Sequence, residues 1–171
     1  VNCADYGVPQ SRSRLVLLAS KFGDISLIPP LYTEENYITV KDAIGSLPQI
    51  KDGESCKTDT LHRASKLSKI NKKRIKKSVP GGTWKDWDEK LRLSCHKKST
   101  GQGYRAVYGR MEWGKPSPTI TTQFYGYGNG RFGHPEQNRA LSMREGAILQ
   151  SFPPDYKFID VNHPQTNRQI G

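Results

Sequence analysis

Asp5-Tyr6-Gly7-Val8-Pro9-Gln10-Ser11-Arg12-Ser13-Arg14 runs directly into the apolar stretch Leu15-Val16-Leu17-Leu18-Ala19. A short apolar run like this reads as a buried strand, here over Leu15 to Ser20. Side chains alternate along such a strand, so Arg12 and Arg14 fall on one side of its start. Two neighbouring guanidinium forks there suit an anion or the edge of a base. An ion pair with acidic neighbours is the plainer use of the same two residues.

Outward from that stretch, three zones follow. The first, residues 1–45, adds an extended Pro29-Pro30 connection and a short helix. Thr39 caps that helix, with Asp42 at its third position, and Leu47-Pro48 closes it. The second, residues 46–138, is basic, irregular and rich in Gly and Trp. Leu61, Ala64, Leu67 and Ile70 keep helical spacing, which predicts a helix over Leu61 to Lys77 that Pro80-Gly81-Gly82 stops. Thr119-Ile120-Thr121-Thr122 is a β-branched strand candidate. The third zone, residues 139–171, opens a helix on the capping box of Ser142 and Glu145 and reaches about Ser151, before Pro153-Pro154.

Lys and Arg number 27 against 16 acids, a net charge of +11, which favours a polyanionic partner. Lys66, Lys69, Lys72, Lys73, Arg74, Lys76 and Lys77 fall in a window with no acid. Such a window is a solvated helix face or a phosphate-contacting one; its one-sidedness favours phosphate, with Lys72, Lys73, Lys76 and Lys77 as the candidate contacts. Phosphate contacts position a protein without reading bases. Mean hydropathy is −0.74, low for a closed globule. No apolar stretch has the length of a membrane span. Val1 is not a natural start. Cys3, Cys56 and Cys95 are scattered and contain no CxxC pair, which argues against a disulfide framework or zinc site and for a reducing cytoplasm.

Three motifs invite over-reading. Gly128-x-Gly130-x-x-Gly133 is a literal GxGxxG, but His134-Pro135 follows where a nucleotide-binding loop must open a helix. It reads as a turn. His62, His96, His134 and His163 lack ligand spacing. Trp84, Trp87 and Trp113 read as a small satellite core rather than as platforms for extruded bases.

The opening stretch also resembles a family: Asp-Tyr-Gly-Val-Pro-Gln-Ser-Arg-x-Arg before an aliphatic strand looks like the eighth motif of the cytosine-5 DNA methyltransferases. Arg139-Ala140-Leu141-Ser142-Met143-Arg144-Glu145-Gly146-Ala147, then Leu149-Gln150-Ser151-Phe152-Pro153, resembles the ninth motif. Gln169-Ile170-Gly171 resembles the opening of the tenth. The three stand in family order around a variable middle.

This resemblance implies methyl transfer from S-adenosylmethionine to carbon 5 of a flipped cytosine in double-stranded DNA, in a prokaryotic, nucleoid-associated, cytoplasmic setting and as part of restriction-modification. It implies an α/β fragment: the edge of a Rossmann-like catalytic domain plus a small, irregular, mostly β target-recognition domain at 46–138. By position, Arg14 resembles the residue that reaches the cytosine O2, and Arg12 resembles its bracing partner. Thr119 resembles the threonine that contacts the backbone near the flipped nucleotide, and Gln10 carries over as a DNA contact. Arg144 and Glu145 carry over as structural. The Pro-Cys nucleophile motif, the Glu-Asn-Val motif and the Gly-rich cofactor loop do not occur in these residues; Glu35-Asn36-Tyr37 follows the arginine strand instead of preceding it. The expectation is that those motifs precede residue 1, in an N-terminal catalytic part of the same enzyme. Only Gln169 and Gly171 then adjoin the cofactor site, and no metal is implied. The competing reading is a stand-alone basic nucleic-acid-binding module without chemistry; an RNA cytosine substrate is a third.

Overall fold

The computed structural model describes residues 1–159 and 163–171. Short helices joined by long ordered loops make up the fold. The α-helices are α1 (Val40–Ile44), α2 (Lys69–Lys77), α3 (Ser94–Lys97), α4 (Met143–Leu149) and α5 (His163–Ile170). Single-turn 3-10 helices punctuate the loops, among them Trp84–Asp86, Glu89–Leu91 and Tyr127–Asn129.

Local chemistry explains the helix starts. Thr39 and Asp42 form a reciprocal capping box on α1, and Ser142 with Glu145 does the same on α4. Each box satisfies amide groups that a helix terminus otherwise leaves open. α2 is shorter than its periodicity predicts. Ser68 caps it, and residues 61–67 are held by distant partners instead: Ala64 N donates to Glu54 O, and Leu67 N to an Asp52 carboxylate oxygen.

No regular strand or sheet forms among the described residues, which corrects the mostly β expectation for the recognition region. In its place, extended segments touch through single bridges: Pro80 beside Arg110, Arg110 beside Gly133, and Gly133 beside Ala140. Thr119–Thr122 is likewise not a strand; Ile120 is buried, but its segment pairs with no ladder. The GxGxxG segment opens no helix. Gly133 instead donates its amide to Gly109 O where two backbones cross.

The Leu15–Ser20 expectation is also corrected. Residues 12–14 pair with the N-terminal residues, but residues 15–20 form no regular structure. Leu15 is 98% and Leu17 88% exposed. An apolar run becomes a buried strand only when neighbours cover its faces, and the described residues supply none.

One core spans all three zones. Val40 and Ile44 of α1 meet Met111, Ile120, Phe124 and Phe132, and then Leu141, Met143, Ala147 and Leu149 around α4. Trp84, Trp87 and Leu91 form a satellite core as expected, but Trp113, expected with them, packs against the main core instead. Gly146 lets α4 lie against Phe124, since a β-carbon there would stand 2.1 Å from that ring. Phe124 has no exposed surface and little room to yield. Gly146→Ala is therefore expected to destabilise by about 1–3 kcal/mol through overpacking, measured by urea denaturation; an unchanged midpoint would contradict this packing.

Candidate functional site

The loop at Gln10 lies parallel to the segment at Ser117. Ser117 N donates to Pro9 O at 3.0 Å, and Ser11 N to Ser117 O at 2.8 Å. Pro9 offers only its carbonyl, which is the group this pairing uses. The register then brings Thr119 and Ile120 beside Ser11 and Arg12. Thr119 Oγ1 donates to Ser11 O at 3.2 Å, and Arg12 Nη1 to Ile120 O at 3.3 Å.

Gln10 is the hub of this arrangement. Its Oε1 accepts from Ile120 N at 3.2 Å and from Arg12 Nη1 at 3.4 Å. Its Nε2 donates to Leu149 O at 3.2 Å and to Gln150 Oε1 at 2.8 Å. Gln150 Nε2 continues to Ile170 O at 2.7 Å. Four stretches distant in sequence are thus joined by two amide side chains. Gln10 has no exposed surface, so its amide is spent inside the protein, and the DNA contact expected there gives way to a bracing role. Gln150 lies in the ninth-motif stretch, but the motif gives it no role. Only its partners, 140 and 20 residues away, reveal its role.

Arg12 is half-buried and aimed inward, whereas Arg14 is exposed. Arg14 Nη1 donates to the carbonyl of its neighbour Ser13 at 2.7 Å. The pair therefore divides into an anchored arginine and a presented one. Gly171 abuts the Thr121–Thr122 backbone, where a β-carbon would stand 2.3 Å from Thr121 C. Gln169 is exposed.

The lysine helix α2 is anchored separately. Arg110, almost fully buried, donates to Ile75 O and Ser78 O at its C-terminal end and to His134 O and Gln137 O beyond. Lys73, Lys76 and Lys77 are exposed. Lys72 instead lies 2.7 Å from the Asp52 carboxylate, an acid that lies outside the linear window.

Charged residues beneath the site are structural. Arg139 and Glu145 form a doubly hydrogen-bonded pair at 2.8 and 2.6 Å with both side chains buried. Arg144 pairs with Asp59 at 2.6 Å and caps Tyr156 O. Burial pushes the Asp59 carboxyl up, but the bonds and charge of Arg144 outweigh it and hold it below the usual range. His62 bridges Ser142 Oγ and Pro48 O. His134 Nδ1 accepts from the Glu136 and Gln137 amides. Among the described residues no cluster of His, Cys, Asp or Glu could hold a metal ion, and no helix is long and apolar enough to cross a membrane.

All 171 residues match the family model described as C-5 cytosine-specific DNA methylase. The chain is 57% identical over 174 residues to "Type II methylase M.HgiDII" of Herpetosiphon aurantiacus, covering 100% of the chain and 49% of that relative. It is 37% identical over 172 residues to "Type II methyltransferase M1.HphI" of Haemophilus parahaemolyticus, covering 100% of the chain and 42% of the relative. Over 78% of the chain it is 36% identical to "DNA (cytosine-5)-methyltransferase 3" of Arabidopsis thaliana, of which it spans 11%. The chain thus spans half the length or less of these curated relatives.

Proposed function

The chain belongs to the C-5 cytosine-specific DNA methylases, and from that membership we propose that it supplies target recognition and one edge of the base pocket of a DNA (cytosine-5)-methyltransferase. The enzyme would be a cytoplasmic, prokaryotic one of the restriction-modification type, acting on duplex DNA. The observation that carries this reading is the hub at Gln10. It ties the Gln10–Arg12 segment, the Thr119-Ile120 segment and the ninth and tenth motif stretches into one cluster, with Arg14 left exposed at its edge. Arg14 then faces the flipped cytosine, Arg12 braces it, and Thr119 lies against the DNA backbone. Residues 46–138 form the recognition part, and residues 1–45 and 139–171 belong to the catalytic part.

S-adenosylmethionine is the methyl donor that the reading requires. The residues of this chain do not fit it on their own: Gln169 is exposed and Gly171 is packed on Thr121–Thr122. No step is therefore assigned to them. The 171 residues also contain no Pro-Cys pair. The exposed Leu15–Leu18 run is the surface on which an N-terminal catalytic part would dock.

Labelled S-adenosylmethionine and cytosine-rich duplex test the reading. The full-length protein should transfer label to cytosine, mapped by bisulfite sequencing, and residues 1–171 alone should transfer none. A full-length protein that binds duplex yet transfers nothing would favour the stand-alone binding module.

Charge should govern the binding step. Replacing Lys73, Lys76 and Lys77 by Gln is expected to reduce the salt slope of log affinity by about one unit for each phosphate that is no longer neutralised. Affinity measured across a salt series checks this. An unchanged slope would leave α2 as a solvated helix.

A further inference from the structure

The glycines at 126, 128 and 130 belong to a loop, residues 121–130, that leaves the Gln10 hub directly after Ile120. The loop is tied to itself along its length. Phe124 N donates to Thr121 O at 3.0 Å, Gly126 N to Gln123 O at 3.0 Å, and Asn129 N to Gly126 O at 3.1 Å. Asn129 Nδ2 crosses the loop and donates to Gln123 O at 3.2 Å. Two buried rings anchor it from below: Phe124 in the main core, and Tyr127, edge-on to Tyr108, in the cluster around Ile75. The glycines serve these ties. A β-carbon on Gly126 would stand 2.3 Å from Asn129 Nδ2 and displace that amide, and one on Gly130 would stand 2.5 Å from the buried Phe132 ring. The glycine-rich pattern thus builds a compact, braced loop.

That loop presents one uncommitted amide. Gln123 and Asn129 are both exposed. Asn129 spends its side chain on the cross-tie, whereas only the backbone carbonyl of Gln123 is engaged. The Gln123 amide keeps a carbonyl acceptor and an NH₂ donor side by side. In the major groove an adenine offers the complement, an N7 acceptor next to an N6 donor. Resting on the reading above that Thr119 lies against the DNA backbone, we propose that Gln123 is a specificity-determining residue that pairs with the edge of an adenine in the target site. Backbone contacts position a protein and base contacts specify: Thr119 sets the register, and Gln123, four residues on, selects the base. A braced loop has little left to order when it docks, which saves binding energy for the contact itself.

The test uses the full-length protein. Its site is mapped by bisulfite sequencing, and labelled methyl transfer is then measured on duplexes in which each base pair of the site is changed in turn. The parent should require adenine at one position. Gln123→Ala should cut that preference about tenfold or more and leave the other positions unchanged. Gln123→Glu, which can only accept, should move the preference at the same position toward cytosine, whose N4 is a donor. Arg14→Ala should instead slow all duplexes alike. If Gln123→Ala and Gln123→Glu both keep the parent's preference within about twofold at every position, Gln123 reads no base while methylation stands. Preferences blurred at several positions together with a lowered melting temperature would make Gln123 a structural residue and refute the assignment. A full-length protein that methylates no duplex overturns this inference and the reading it rests on together.

Discussion

Arg139→Leu is expected to lower the stability of the fold by about 3–5 kcal/mol, because it leaves a carboxylate buried without its counter-charge. Arg139 and Glu145 are 0% and 1% exposed. Arg139 also donates to Ile50 O and Ala140 O, so its loss opens carbonyls as well. Glu145 Oε2 accepts from Ser142 N in the capping box of α4, which carries the damage into that helix. Urea denaturation of the single variants and of Arg139→Leu with Glu145→Leu checks the mechanism. The double variant should lose less than the sum of the two, since it leaves no lone charge. Additive losses would mean that the pair is not coupled.

The same cluster sets an acid limit. Burial pushes the Glu145 carboxyl up, but the hydrogen bonds and charge of Arg139, with His134 and Ser142 N–H, outweigh it and hold it below the ordinary glutamate range. Its contribution is complete above the unfolded value and is lost as pH falls through the lowered one. For His134, burial pushes the imidazole down to about 4; Glu145 opposes this, and Arg139 and Arg110 reinforce it. Between the ordinary histidine value of about 6.5 and that value, the unfolded chain holds the extra proton. Stability therefore falls with acidification across this window, by at most about 3 kcal/mol. His134→Gln should flatten that part of the profile.

Arg14→Ala in the full-length enzyme is expected to slow single-turnover methyl transfer by about 10²-fold, or ~2.7 kcal/mol. On the proposed reading a thiolate would attack the cytosine ring and make it electron-rich, so a fixed cation at its carbonyl would act chiefly in the transition state. DNA affinity should change far less. The melting temperature should hold, because Arg14 is exposed and its side chain bonds the carbonyl of the adjacent Ser13. Arg14→Lys should not restore the rate fully, since an ammonium cannot reproduce the planar fork. A rate within about threefold of the parent, which is under ~1 kcal/mol, measured on preparations with equal melting temperatures, would refute the assignment. Arg12→Ala should differ by also lowering stability, because Arg12 bonds Ile120 O and Gln10 Oε1.

The sequence by itself determined what rests on neighbours within a turn or on motif order. The boxes at Thr39–Asp42 and Ser142–Glu145 satisfy helix amides three residues away, so they read directly and recur in the fold. Family membership was legible because three motifs keep their order, and the satellite packing of Trp84 and Trp87 followed from composition. Tertiary structure decided the rest, where a residue's state depends on partners far along the chain. Residues 61–67 have helical spacing, yet bonds to Glu54 and Asp52 pull them out of α2. Leu15 to Leu18 have the pattern of a buried strand, but burial needs a covering surface that no pattern supplies. Gln10 reads in the sequence as a contact for DNA. Partners 110 and 140 residues away turn it into the internal brace of the site, because a buried amide must place every donor and acceptor inside the protein.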